Sequence, residues 1–248
     1  MKIVAIVTAR MTSKRLPGKT LMKIIGKPII ELLIQRLSYS KKINQIVVAI
    51  PNNNKNKKLK NFLKKKQYSF FQGNEKNVLN RFYNTAKLYK ADIVVRITGD
   101  CPLVDSNIVD NLIKKLIKYK KDYITNANPL TYPDGLDAEV ITFKALEKCY
   151  KSVTNDYDKE HVTTYIRNSK KFNVMYNQYK VNYSDQRWVV DEKEDFIVVK
   201  KIFEYFKPRI NFRWLDILKL LKRRPEIFEI NKKIKIKNEY KKALFINL

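Results

Sequence analysis

The sequence IVAIVTARMTSKRLPGKTL, residues 3–21, decides how the rest of the chain is read. It opens with five apolar residues in a row, Ile3 to Val7, most of them β-branched. A short run of this kind suits a strand buried on both faces of a parallel sheet. The polar turn that follows holds Arg10, Ser13, Arg15, Gly18 and Lys19. Guanidinium groups grip phosphate oxygens in pairs, lysine adds a point charge, and glycine lets backbone N–H groups come close. The turn lies just past the carboxyl end of the first strand, where open α/β sheets bind ligands. Its spacing is neither G-x-x-x-x-G-K-[ST] nor G-x-G-x-x-G, so it is a different phosphate cradle. The plain alternative is a solvated basic loop. Against that, only 11 of the 52 basic residues are arginine, yet two fall here, and Gly18 is one of five glycines.

The 248 residues allow one large α/β domain or two small ones. No apolar stretch is long enough to span a bilayer, so no membrane insertion is expected. No secretory signal order is seen at the amino terminus. Cys101 and Cys149 make no metal spacing and imply no disulfide framework, which points to a reducing, cytoplasmic setting. A net charge of +28 would ordinarily suggest nucleic acid. Here the excess is dispersed lysine without a clustered basic and aromatic face. It reads as solvated surface that helps collect anionic substrates, and nucleic acid is not expected as a partner. A basic nucleic-acid-binding protein is the rival from a different class.

Hydrophobic periodicity predicts helices over 28–39, 55–66, 77–90, 107–120 and 156–166. It predicts strands over 45–50, 68–71, 92–98, 122–126, 138–142, 172–178 and 187–190. Alternation through residue 120 argues for a parallel, three-layer α/β domain. Asp100 follows a strand and Gly99, so its carboxylate points toward the same crevice as the first turn. Mg²⁺ takes one or two carboxylates plus substrate phosphates, and Asp100 suits it. Asp105 before Ser106 reads as a helix cap. Asp137 and Glu139 lie two apart and share a face if a strand runs through them, as sugar hydroxyls or an acid/base pair would need. Asp191 with Glu194 reads as a capping box. Arg81 lies off the apolar stripe of its helix, and its plain reading is an exposed arginine. His161 is the single histidine, and nothing nearby completes a metal set. The chain divides into a main domain, 1–210, and a basic, amphipathic helical extension, 211–248, that packs on it or serves as a homodimer contact.

The order ARMTSKRLPGKTL, residues 9–21, resembles the opening motif of the sugar cytidylyltransferases. That group includes the KDO and acylneuraminate enzymes, and the SpsF-like branch of spore-coat polysaccharide biosynthesis is most similar. Further segments resemble the same family: GNEKNVLNR (73–81, with Asn77 where Asp is expected), GDCPL (99–103), YPDGLDAEV (132–140), EHVT (160–163) and RWVVDEKED (187–195). The resemblance implies a nucleotide-diphospho-sugar transferase fold, GT-A-like and Rossmann-like, with a mixed, mainly parallel sheet. It implies that CTP and a sugar give a CMP-sugar and pyrophosphate. The nucleotide would be held by Ala9, Arg10, Ser13, Arg15, Lys19, Gly73, Asn74, Asn77, Arg81, Thr98, Gly99 and Asp100. Of these, Arg10, Arg15, Lys19 and Asp100 would be catalytic, and Asp100 with Asp191 would hold Mg²⁺. Asn126, Tyr132, Asp137, Glu139, His161 and Arg187 would face the sugar, an acidic keto-sugar of the nonulosonate or KDO kind. The rival on the same fold is a glycosyltransferase. Its D-x-D motif is matched only superficially by Asp156 and Asp158, which open a helix.

Overall fold

Ile3 to Val7 alternate between two hydrophobic clusters. Ile3, Ala5 and Val7 point to one, Val4 and Ile6 to the other. A strand apolar on both sides must be covered on both sides, and the computed structural model, which describes residues 1–234, shows that sandwich. The run forms β1 (Ile3–Thr8), with β4 (Gln45–Pro51) and β5 (Phe70–Gly73) parallel to it on one side. On the other side lie β6 (Ile93–Thr98), then β8 (Glu139–Thr142), β7 (Tyr123–Thr125) and β9 (Val174–Tyr176). Only β8 runs against the others. A two-stranded hairpin, β2 (Lys23–Ile24) with β3 (Lys27–Pro28), turns through Ile25 and Gly26, both at positive φ.

One face of the large sheet is covered by α1 (Ile29–Leu37), α2 (Lys57–Lys65), α4 (Ser106–Lys118), α8 (Lys193–Phe206), α9 (Trp214–Arg223) and α10 (Pro225–Glu229). The opposite face takes α3 (Val78–Leu88), α5 (Phe143–Ser152), and α7 (Thr164–Asn168) through Ile166. The intervening α6 (Asp156–His161) buries none of its residues. Among the described residues no helix is long and apolar enough to cross a membrane.

Chain order reverses at β1, with β4 on one flank and β6 on the other, which opens a crevice at their carboxyl ends. Thr8 pairs with Thr98, so the turns after β1 and β6 leave the sheet side by side. Gly99 fits there because it lacks a Cβ, which would lie 2.6 Å from the Thr8 carbonyl that its own N–H meets at 2.8 Å.

Several local expectations differ. The third strand lies two residues later than 68–71. The helix expected over 156–166 breaks at Val162, which has φ 63. Residues 187–190 form no regular strand; Arg187 makes an isolated parallel bridge to Asp134, and the Val190 N–H donates to the Asp100 carbonyl at 2.8 Å. The capping box is formed by Glu192 and Asp195, one residue later than Asp191 and Glu194. Asp105 does cap α4, accepting from the Asn107 N–H.

The extension is tied to the sheet by Arg36. This buried guanidinium donates to the carbonyls of Leu103, Val104, Phe212 and Ile210 and stacks 4.3 Å from the Phe212 ring. Burial outweighs the pull of the nearby Asp105 and pushes its pKa down to about 10. Residues 235–248 of the expected helical extension lie outside the described residues.

Candidate active site

The crevice holds a cleft of about 500 Å³, within the range of small-ligand sites. Its first wall is the turn after β1. Gly18 adopts φ 74 and its N–H returns to the Met11 carbonyl, while the Thr20 hydroxyl donates to the Arg10 carbonyl at 2.8 Å. These bonds close residues 10–20 into a loop that presents Arg10, Ser13, Arg15 and Lys19 to the cleft. Arg10 is exposed and makes no ion pair among the described residues.

Lys19 is buried at the centre. Its Nζ donates to Asp100 at 3.0 Å, to Asp191 at 2.7 Å and to the Val190 carbonyl at 2.7 Å. Burial works against its charge, but the two carboxylates outweigh that and hold the ammonium above its usual pKa. Burial likewise opposes the charge of Asp100, and Lys19 overcomes it, so the carboxyl sits below its usual range. Arg15 reaches Asp191 at 2.5 Å and Glu192 at 3.3 Å. Two aspartates 91 positions apart thus meet at one cation, because the 187–190 segment lies along both the Asp134 turn and the residues after β6.

The remaining wall comes from the 130–137 loop and α6, with Leu130, Asp134, Asp137, Glu160 and His161. Gly135, at φ 107, lets this loop lie against residues 188–189; a Cβ would stand 2.5 Å from the Val189 nitrogen. Asp134 bonds Arg187 at 3.1 Å, and burial together with Asp100, Asp191 and Asp195 raises its pKa to about 6 against the pull of Arg187. Arg187 lies flat against Asp195, with both of its bonds at 2.9 Å. Asn231 then ties the extension to this pair, donating to Asp195 and to the Arg187 carbonyl.

Of the residues expected at the site, Ala9, Arg10, Ser13, Arg15, Lys19, Arg81, Thr98, Gly99, Asp100, Asp137, His161, Arg187 and Asp191 line one cleft. The others are committed elsewhere. Asn74 accepts from the Lys76 and Asn77 N–H groups, Asn77 caps α3, and Gly73 packs against Phe71 and Arg81. Asn126 is spent on the Leu136 carbonyl and the Ala138 N–H. Tyr132 sits among Tyr179 and Trp214, its hydroxyl on Asn177. Glu139 is buried, bonded to Arg96 at 2.6 Å, Arg167 at 3.1 Å, Tyr123 at 2.8 Å and Thr163 at 2.9 Å. It is a buried ion-network residue, where a sugar contact had been expected. Arg81 is also buried, curled onto the Asn74 and Glu75 carbonyls, which corrects the exposed reading. Sequence reasoning missed Asp134, hidden as turn chemistry between Pro133 and Gly135, and Asp195, indistinguishable from a cap.

The donor set fits a divalent cation in part. Asp100 and Asp191 already share one positive charge. Among the described residues no three His, Cys, Asp or Glu side chains are grouped to hold a metal alone. A hard cation here would take its other ligands from phosphate oxygens and water, as Mg²⁺ commonly does.

Comparison with known proteins shows the family of the chain. Residues 4–241 match the cytidylyltransferase family model, and the chain belongs to that family. A solved cytidylyltransferase from Leptospira borgpetersenii is 31% identical, with a TM-score of 0.88 over 95% of this chain and 99% of the other. The spore coat polysaccharide biosynthesis protein SpsF of Bacillus subtilis is 28% identical over 90% of this chain and 95% of its own length. An uncharacterized protein of Methanocaldococcus jannaschii is 36% identical over 96% and 98%. The protein is a CTP-dependent nucleotidyltransferase by family, on a mixed, mainly parallel α/β sheet.

Proposed function

We propose that the enzyme transfers CMP from CTP to a sugar hydroxyl and releases pyrophosphate, in the making of a surface polysaccharide. One juxtaposition carries this reading: the basic turn of residues 10–19 faces Asp100 and Asp191 across a single cleft, with Lys19 in contact with both. The chemistry is displacement at the α-phosphorus, which needs positioning and charge stabilisation more than covalent help.

Arg10, Arg15 and Lys19 bind the triphosphate and stabilise the charge that gathers on departing pyrophosphate. Thr98 and Gly99 form the floor between the two loops, and Arg81 adds a further guanidinium beside Arg10. Asp100 and Asp191 would hold Mg²⁺, which when bound supplies charge neutralisation on the phosphate oxygens. The acceptor lies against the 130–137 loop and α6, where Asp137, His161 and Arg187 also line the cleft. The resemblance points to an acidic keto-sugar of the nonulosonate or KDO kind as that acceptor.

A glycosyltransferase reading gains nothing from Asp156 and Asp158, which open α6 at the surface instead of ending a core strand. The test is pyrophosphate release with CTP, Mg²⁺ and a panel of sugars. The expected result is equimolar pyrophosphate and CMP-sugar. Sugar transfer from a nucleotide-sugar, with no use of CTP, would refute the assignment.

A further inference from the structure

The order in which the cleft fills is written in the partners of Asp100 and Asp191, given the cytidylyltransferase reading, on which this inference rests. Both carboxylates are already engaged by cations of the chain itself. Lys19 Nζ donates to Asp100 Oδ2 at 3.0 Å and to Asp191 Oδ1 at 2.7 Å, and Arg15 donates to Asp191 Oδ2 at 2.5 Å. Both oxygens of Asp191 and one of Asp100 are therefore taken. Arg187 also stands 3.6 Å from Asp191, but Asp195 and Asp134 already hold it. The ammonium of Lys19 and the guanidinium of Arg15 together carry the charge of one divalent cation. A metal ion at these two carboxylates has to displace the ammonium, because like charges repel strongly at contact distance.

The same two cations belong to the phosphate loop, where they line the cleft with Arg10 and Ser13. The loop backbone is pinned by the Gly18 N–H on the Met11 carbonyl and the Thr20 hydroxyl on the Arg10 carbonyl. An exchange of partners is thus a swing of two long side chains, with the loop itself in place. Arg and Lys are both suited to phosphate oxygens.

We propose that Lys19 is a placeholder for the metal. Its ammonium stands between Asp100 and Asp191 until the triphosphate arrives, then moves onto phosphate oxygens as the divalent cation takes its position. The cleft therefore takes metal and nucleotide together, and each raises the affinity for the other by the same factor. Metal alone binds weakly, because its affinity is scaled down by the small fraction of molecules in which Lys19 has left the aspartates.

Binding of CTP with Mg²⁺ to the wild type is measured first by calorimetry; failure to bind overturns the cytidylyltransferase reading, and this inference with it. Mn²⁺ binding without nucleotide is then followed by electron paramagnetic resonance. Lys19→Met, which keeps the length and loses the charge, is expected to bind Mn²⁺ at least about tenfold more tightly than the wild type. That factor corresponds to Lys19 holding the aspartates in about nine molecules of ten. Lys19→Arg, which keeps the charge, should stay with the wild type, and adding Asp100→Asn to Lys19→Met should abolish the gain. A lysine with a merely structural role would give no gain when removed. Equal Mn²⁺ affinity in the wild type and a folded Lys19→Met, or a gain that survives Asp100→Asn, overturns the proposal and leaves the CTP result standing. Wild-type crystals decide the matter should Lys19→Met fail to fold. Mn²⁺ alone is expected to leave Lys19 on both aspartates, and Mn²⁺ with CTP to place it on phosphate. Manganese between the aspartates without CTP, or Lys19 still on both of them with CTP and Mn²⁺ bound, overturns the proposal.

Discussion

Replacing Lys19 by alanine removes the one ammonium that joins both walls of the cleft. It loses contacts at 3.0 Å to Asp100, 2.7 Å to Asp191 and 2.7 Å to the Val190 carbonyl. Breaking a buried ion pair costs about 3–5 kcal/mol. The Asp100 and Asp191 side chains keep 26% and 17% of their exposure, so water and counter-ions recover part of that. About 2–3 kcal/mol should remain, a fall in Tm of roughly 4–12 °C for a chain of this size. The pH dependence has a definite sign. Lys19 is held above its usual pKa, so its contribution is complete below about pH 10 and fades as pH rises through the folded value. Asp100 is held below its usual range, so the same contact also fails in acid, once pH drops through the folded value of that carboxyl. The gap between wild type and Lys19→Ala, measured by thermal and urea unfolding, should therefore be flat between about pH 6 and 9 and close at both ends. Adding Mg²⁺ should recover part of the lost stability, because the two aspartates then face each other without a cation. A variant that melts with the wild type at pH 7 would refute this account of the site centre.

Asp100→Asn should lower kcat by about 10²–10³ while CTP affinity, read by calorimetry, changes little; unchanged turnover removes Asp100 from the mechanism. Glu139→Gln takes away the carboxylate that Arg96 and Arg167 share and should cost about 3–5 kcal/mol in urea unfolding. Arg96 and Arg167 overcome burial and hold the Glu139 carboxyl below its usual range, so this deficit should be full at neutral pH and shrink in acid as pH falls through the folded value of that carboxyl. Gly99→Ala drives a methyl group to 2.6 Å from the Thr8 carbonyl; it should cost about 1–3 kcal/mol and depress turnover by spreading the two loops.

The parts of the fold legible in the sequence are those where periodicity and punctuation agree. The apolar run at Ile3 to Val7, the cap at Asp105 and the Gly99–Asp100 corner could be read because each rests on local chemistry. The convergence of Asp100 and Asp191 was expected only from a resemblance, since 91 positions separate them and no periodicity links them. Other features depend on contacts that local pattern does not encode. Arg81 looks exposed on its helix yet curls back onto the preceding turn. Glu139 shares its spacing with Asp137, but Arg96 and Arg167 converge on it from β6 and α7. Asp195, outside the capping box read from Asp191 and Glu194, closes the box of α8 and also holds Arg187 in the site, two roles that one carboxylate fills with its two oxygens.

The measurement that bears most directly on the central claim is anomalous diffraction from crystals grown with CTP and Mn²⁺. The account predicts a manganese peak bound by Asp100 and Asp191, with the triphosphate lying along residues 10–19. A metal peak away from both aspartates, or a triphosphate outside that loop, would contradict it.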